Sequence, residues 1–170
     1  MTREMSKDAK KPDATRKLLV IVDDSPECRI ALYFASRRAR HTDGIVTLLY
    51  VIPPAELQHW QAVEEVMKDE AREEAERVLH DVAAEVLEVS GHMPEMVIRE
   101  GKTREQIQQL IVEDRNIKIL VLGAAVGKGD PGPLISSIAT GGFVEDFGAP
   151  PIPLTIVPGS LTREEIDALA

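Results

Sequence analysis

The sequence predicts a single open α/β domain, a five-stranded parallel sheet with helices on both faces. Three observations carry that prediction. Short apolar runs alternate with amphipathic segments, strand then helix four times and then a last strand. The runs are continuously apolar rather than alternating, which marks strands covered on both sides. The 170 residues, 44% of them hydrophobic, suit one domain that buries a core without disulfides or a structural metal. Aromatics are only 4%, so that core is built from Val, Ile, Leu and Ala.

The elements follow in order. Residues 1–16 read as a flexible basic leader. Up to Lys17 the chain holds six Lys and Arg against three acids, a balance of +3, while the whole chain is −9 and the remainder therefore −12. The domain proper is expected over 17–158. Leu18 to Val22 is the first strand, ending at Asp23-Asp24-Ser25-Pro26. Ser25 is a natural cap and Pro26 suits the first helical position. That helix runs to about Arg40, and its basic end (Arg37, Arg38, Arg40) complements the helix dipole. Thr42-Asp43-Gly44 turns into the second strand, Ile45 to Ile52, stopped by Pro53-Pro54.

Residues 57–90 form a long amphipathic helix. Val63, Met67, Ala71, Ala75, Val78, Val82, Val86 and Val89 recur at three- and four-residue steps, predicting one buried face. Met96 to Arg99 is a short third strand. Thr103 and Gln106 have capping-box spacing and predict a helix start there. Ile117 to Leu122 is the fourth strand, followed by a Gly/Pro-rich loop from Gly123 to Pro133 and a short helix from Leu134 to about Phe143. Leu154 to Val157 is the fifth strand. Thr162 and Glu165 repeat the capping-box pattern, so 159–170 is expected to be a short helical tail.

Composition narrows the function. The longest apolar stretch, Ile119 to Val126, is too short to cross a bilayer, so no membrane insertion is expected. The first residues lack the apolar segment of a secretory signal. A lone cysteine, Cys28, forms no internal disulfide, and no Cys/His cluster has metal spacing. A reduced cytoplasmic protein without a metal site is the expectation. An acidic body repels phosphate backbones and argues against nucleic acid as a partner.

In open parallel sheets ligands bind beyond the carboxyl ends of the strands, where strand order reverses. Asp23 stands at such an end, as a ribose acceptor or as a turn and cap residue. Gly123, Gly127, Gly129 and Gly132 lie between a strand and a helix, with Ser136 and Ser137 behind them. They make either an anion cradle or a plain Gly/Pro connection. Gly127 to Gly132 spells G-x-G-x-x-G, yet it starts four residues beyond Gly123 and contains Pro131. The stretch from Gly123 to Gly129 is one residue short of a P-loop. Neither pattern fits. His41, His59, His80 and His92 have no readable catalytic partners and read as surface residues. Cys28, in the first turn of a helix, sits where the dipole lowers a thiol pKa. Small-residue packing is the simpler role for it. Trp60 and His59 lie near the start of the long helix, over the ligand cleft, at an interface or in ordinary packing.

In this order the segments resemble the universal stress protein family. The matching stretches are Lys17 to Ser25, Val46 to Ile52, Val97 to Gly101, Ile119 to Gly123 and Pro153 to Val157. The resemblance implies a Rossmann-like sheet of order 3-2-1-4-5. It also implies a homodimer joined through Leu154 to Val157, and a regulatory rather than catalytic role. Many members bind ATP through Gly, two residues, Gly, nine residues, Gly, then Ser or Thr. Here Gly123 holds the first place, Val126 the second with Gly127 one step on, Ser136 the third and Ser137 the last. Asp23 matches the ribose contact, Val22 its neighbour and Val51 the adenine-lining position. Gly127 and Gly129, together with Lys128, offer a different anion nest. The nucleoside side matches and the phosphate side is altered. The resemblance therefore implies a regulatory homodimer that binds ATP or another adenine nucleotide in a stress response. The alternative is a nucleotide-free interaction module. An enzyme of the wider adenine-nucleotide alpha-hydrolase-like group ranks lowest, because Asp23 to Pro26 contains no glycine.

Overall fold

The computed structural model describes residues 15–54, 61–127, 129–140 and 151–170. The chain runs β1 (Lys17–Ile21), α1 (Pro26–Thr42), β2 (Ile45–Ile52), α2 (Gln61–Ser90), β3 (Glu95–Glu100), α3 (Thr103–Glu113), β4 (Ile117–Ala124), α4 (Pro133–Thr140), β5 (Leu154–Pro158), α5 (Arg163–Leu169). All strand pairs are parallel and the order is β3-β2-β1-β4-β5. The predicted sheet and its order are what the structure shows.

Period-two alternation along the strands divides the core in two. Leu18, Val20, Val46 and Leu48 pack with Ala31, Ala35, Val78, Val82 and Val86 of α1 and α2. Leu19, Leu49, Leu120 and Leu122 pack with Ile107, Leu110 and Ile111 of α3 and Ile135 of α4. β1 is central, so its residues are needed on both faces and its apolar run is unbroken.

Two helix starts behave differently. α1 begins as expected: the Ser25 side chain accepts from the Cys28 N–H, and Pro26 is the first helical residue. At α3 the predicted capping box does not form. The N-cap is Lys102, whose side chain makes no capping hydrogen bond, and Thr103 is already helical. The helix starts one residue earlier than the spacing implies, so Thr103 and Gln106 are its first and fourth residues rather than its cap and third; the Gln106 amide lies beside Gly101, 3.0 Å from where a Cβ would stand. The second box does form, with reciprocal bonds between Thr162 and Glu165.

α2 corrects another expectation. Its buried residues run from Ala75 to Ser90, whereas Val63 and Met67, placed on the core face by spacing, are each 50% exposed. Thirty residues of helix span about 45 Å, but β2 has eight residues, about 26 Å of strand. The first turns therefore overhang the sheet. The residues preceding α2, with Trp60 and His59, lie outside the described residues, as does the predicted end of α4 at Phe143.

α5 docks on its own chain. Ile166 is fully buried. The Tyr33 hydroxyl donates to Asp167 at 2.7 Å, Arg37 Nε lies 3.0 Å from the same carboxylate, and Arg163 stacks over the Tyr33 ring. At the start of β1, Lys17 Nζ lies 2.7 Å from both Asp114 and Glu95. Burial pulls its pKa down, and bonds to the two carboxylates more than reverse this, leaving it raised. None of the described helices is long and apolar enough to cross a membrane.

Candidate functional site

The carboxyl ends of β1 and β4 diverge where strand order reverses, and a cleft opens between them. It is lined by Ile21, Asp23, Ser25, Glu27 and Cys28 from the β1–α1 turn, Leu122 and Gly123 of β4, and residues 131–135 at the start of α4. Its volume is about 110 Å³, below the ~300–1,000 Å³ usual for a ligand pocket. The loop after β4 explains the narrowness. The Ala125 N–H donates to the Pro131 carbonyl at 2.9 Å, so the loop folds back and brings Pro131 and Pro133 into the lining.

Of the residues singled out from sequence, Asp23 and Gly123 reach this cleft. Asp23 Oδ1 accepts from the backbone N–H and the hydroxyl of Ser25, so it does serve the turn. Val22 is 3% exposed and packs towards α1 and α2. Val51 is partly buried on the opposite face of the sheet, against the α3 and α4 cluster. Gly127 and Gly129 lie outside the lining, at φ 122° and 149°, where an added Cβ would meet open space. The loop needs glycine there for its backbone conformation.

Gly123 is glycine for a different reason. A Cβ there would press on the Glu27 carbonyl oxygen and lie 2.6 Å from its carbon. The first turn of α1 rests directly on β4 at this point.

Ser136 and Ser137 lie on α4 behind the lining. The Ser136 hydroxyl donates to the Asp130 carboxylate, which also accepts from the Gly132 N–H at 2.9 Å. These two bonds hold the Asp130 carboxyl below the usual carboxylate range. A carboxylate is thus already seated at the amino end of α4, where an incoming anion would be drawn. Sequence reasoning passed over Asp130. Its signal was local: Asp two residues before Gly132, with Pro133 next, is a turn-and-helix-start pattern.

The cleft is acidic. Asp23 and Glu27 line it, Asp130 borders it, and among the described residues the lining holds no Lys or Arg. Lys128 lies outside the described residues. Cys28 corrects the dipole argument: it is buried, donates to the Ile21 carbonyl, and burial pushes its thiol up to about 12. Desolvation outweighs the helix field, so the thiol is an inert packing group. Among the described residues no group of three or more His, Cys, Asp or Glu could hold a metal.

A doubly wound parallel sheet with a cleft at its switch point defines an α/β protein of the kind that takes ligands at the strand tips. Comparison with known families is more specific: the model of the universal stress protein family matches residues 14–140, and the chain belongs to that family. Among solved structures, it is similar to universal stress protein UspA from Lactobacillus plantarum. The TM-score is 0.67 and the identity 21%, over 84% of this chain and 97% of that one. A universal stress protein in complex with cAMP aligns at TM-score 0.59 and 18% identity, over 86% and 99%. One from Archaeoglobus fulgidus in complex with dAMP aligns at 0.56 and 16%, over 84% and 97%. No curated protein matches the chain.

Proposed function

We propose that the chain is a cytoplasmic regulatory homodimer that binds an adenine nucleotide in the strand-tip cleft during a stress response, without catalysing a reaction. One observation carries the reading: Asp23 and Gly123 line a cleft at the reversal of strand order. Universal stress proteins of similar fold have been solved in complex with cAMP and dAMP, which lends support to adenine as the base. Asp23 uses Oδ1 for the turn, and Oδ2 would accept a ribose hydroxyl. The ligand enters by displacing Pro131 and Pro133. The acidic lining favours a ligand of low charge, so the affinity order is adenosine and AMP ahead of ATP.

The dimer reading rests on β5. Among the described residues it is an edge strand paired with β4 alone, and Ile156 on it is 45% exposed. Pairing with a symmetry mate would remove two open edges together.

Calorimetric titration with adenosine, AMP, ADP and ATP tests the ligand. Heat that saturates for adenosine or AMP and is lost in Asp23→Ala supports the reading. No heat for any of the four at millimolar concentration rejects it. A second reading, a nucleotide-free interaction module, is favoured by the narrow cleft and the seated Asp130 carboxylate; the same silent titration would establish it.

A further inference from the structure

At the opposite edge of the sheet, where the strands begin, lies a larger hollow of about 360 Å³. Arg16, Arg38 and Lys118 line it and Leu18 and Ile119 form an apolar floor. Lys17 also borders it, but its charge is taken by Asp114 and Glu95. The other three cations are different. Lys118 donates one bond, to the Arg115 carbonyl, and none of the three is within ion-pair distance of a carboxylate among the described residues. On a chain of net charge −9, three such cations around one hollow are a concentrated exception.

Their positions are only partly explained by the fold. Arg38 stands near the carboxyl end of α1, where the helix dipole favours a cation. Arg16 precedes β1 and Lys118 lies in β4, and strands carry little dipole. Mutual repulsion of the three is relieved by an anion between them. Two guanidinium groups match the oxygen geometry of phosphate, and an ammonium adds a third donor. The floor has no use for a bare ion, but it suits an apolar group attached to one. The volume lies within the ~300–1,000 Å³ of small-molecule sites.

We propose that this hollow binds a small organic phosphate, a dianionic head held by Arg16, Arg38 and Lys118 over an apolar body resting on Leu18 and Ile119. The site is independent of the strand-tip cleft and of the reading placed on it. It sets a cationic hollow at the strand starts against the acidic cleft at the strand tips.

The test uses the whole chain, labelled with nitrogen-15, and phenyl phosphate as the probe. Amide shifts are expected at Leu18 and Ile119 and not at Gly123 or Gly132. Inorganic phosphate, lacking the ring, and benzoate, lacking the second charge, should each bind about tenfold more weakly, the ratio that follows from ~1.4 kcal/mol. The double variant Arg16→Gln/Arg38→Gln should weaken phenyl phosphate at least ~10-fold, and Lys118→Gln alone several-fold. All three side chains are exposed, so the melting temperature should not move and serves as the folding check. The proposal is overturned if phenyl phosphate gives no shifts at ~10 mM. It is equally overturned if the shifts fall only at the strand-tip cleft, or if the double variant binds as tightly as the wild type. Equal binding of benzoate would reassign the site to carboxylates and refute the phosphate.

Discussion

Replacing Gly123 by Ala separates the packing role of this residue from any ligand role. The added Cβ would press on the Glu27 carbonyl oxygen and lie 2.6 Å from its carbon. Both neighbours are backbone atoms of the first turn of α1, so no side chain can swing aside. α1 must move off β4 by several tenths of an ångström, loosening the Ser25 cap on the Cys28 N–H. Overpacking of this kind costs about 1–3 kcal/mol, and weakening the cap adds up to about 1 kcal/mol. Reduced freedom of the unfolded chain returns about 0.4–1 kcal/mol. The expected net loss is about 1–3 kcal/mol, or about 2–12 °C in melting temperature for a chain of this size. Urea unfolding of the ligand-free protein, with the slope held common, measures it. A variant within ~0.5 kcal/mol of wild type would show that α1 does not rest on β4 here and that Gly123 serves only ligand approach.

Three further outcomes follow from the same contacts. Ile166→Ala should cost about 2–4 kcal/mol because the side chain is fully buried beneath α5; unchanged urea stability would mean that α5 is not docked on its own chain. Lys17→Met should cost about 1–3 kcal/mol by stranding Asp114 and Glu95. The Asp114 carboxyl is raised by burial but held lower overall by Lys17 and the Asn116 N–H. Its share of stability is therefore present above the ordinary carboxylate pKa and lost as pH falls through the depressed one. The raised Lys17 pKa puts its own loss at the alkaline end, as pH rises through that value. The gap between wild type and Lys17→Met should thus hold from ~pH 5 to ~9 and shrink below ~pH 4, and a gap that widens in acid would contradict the pairing. Asp130→Asn should improve ATP binding relative to adenosine by about 3–10-fold, since a unit charge at ~5 Å in water-like surroundings is worth ~1 kcal/mol per facing phosphate charge; an unchanged ratio in calorimetry would remove Asp130 from the phosphate end.

Much of the architecture is legible in the chain itself. β1 and β2 are continuous apolar runs because central parallel strands are covered on both faces. The Ser25–Pro26 and Thr162–Glu165 starts are readable because a cap involves residues three apart. Thr103–Gln106 has the same local spacing and fails, because the helix begins at Thr103 itself, with Lys102 as its cap. Val63 and Met67 fail likewise, because periodicity tells which residues share a helix face and not whether the sheet reaches far enough to cover it.

The site divides along the same line. Asp23 and Gly123 were identifiable from their places at strand ends. That Gly123 is required by Glu27, far away in the sequence, appears only when α1 lies across β4. The width of the cleft, the carboxylate of Asp130 at the start of α4 and the gathering of Arg16, Arg38 and Lys118 around one hollow are likewise tertiary facts. Element type and order are set by hydrogen bonding and burial over a few neighbouring residues, which a single sequence displays. Cavity volume and charge balance depend on which distant segments come to share a surface, and local patterns hold no record of that.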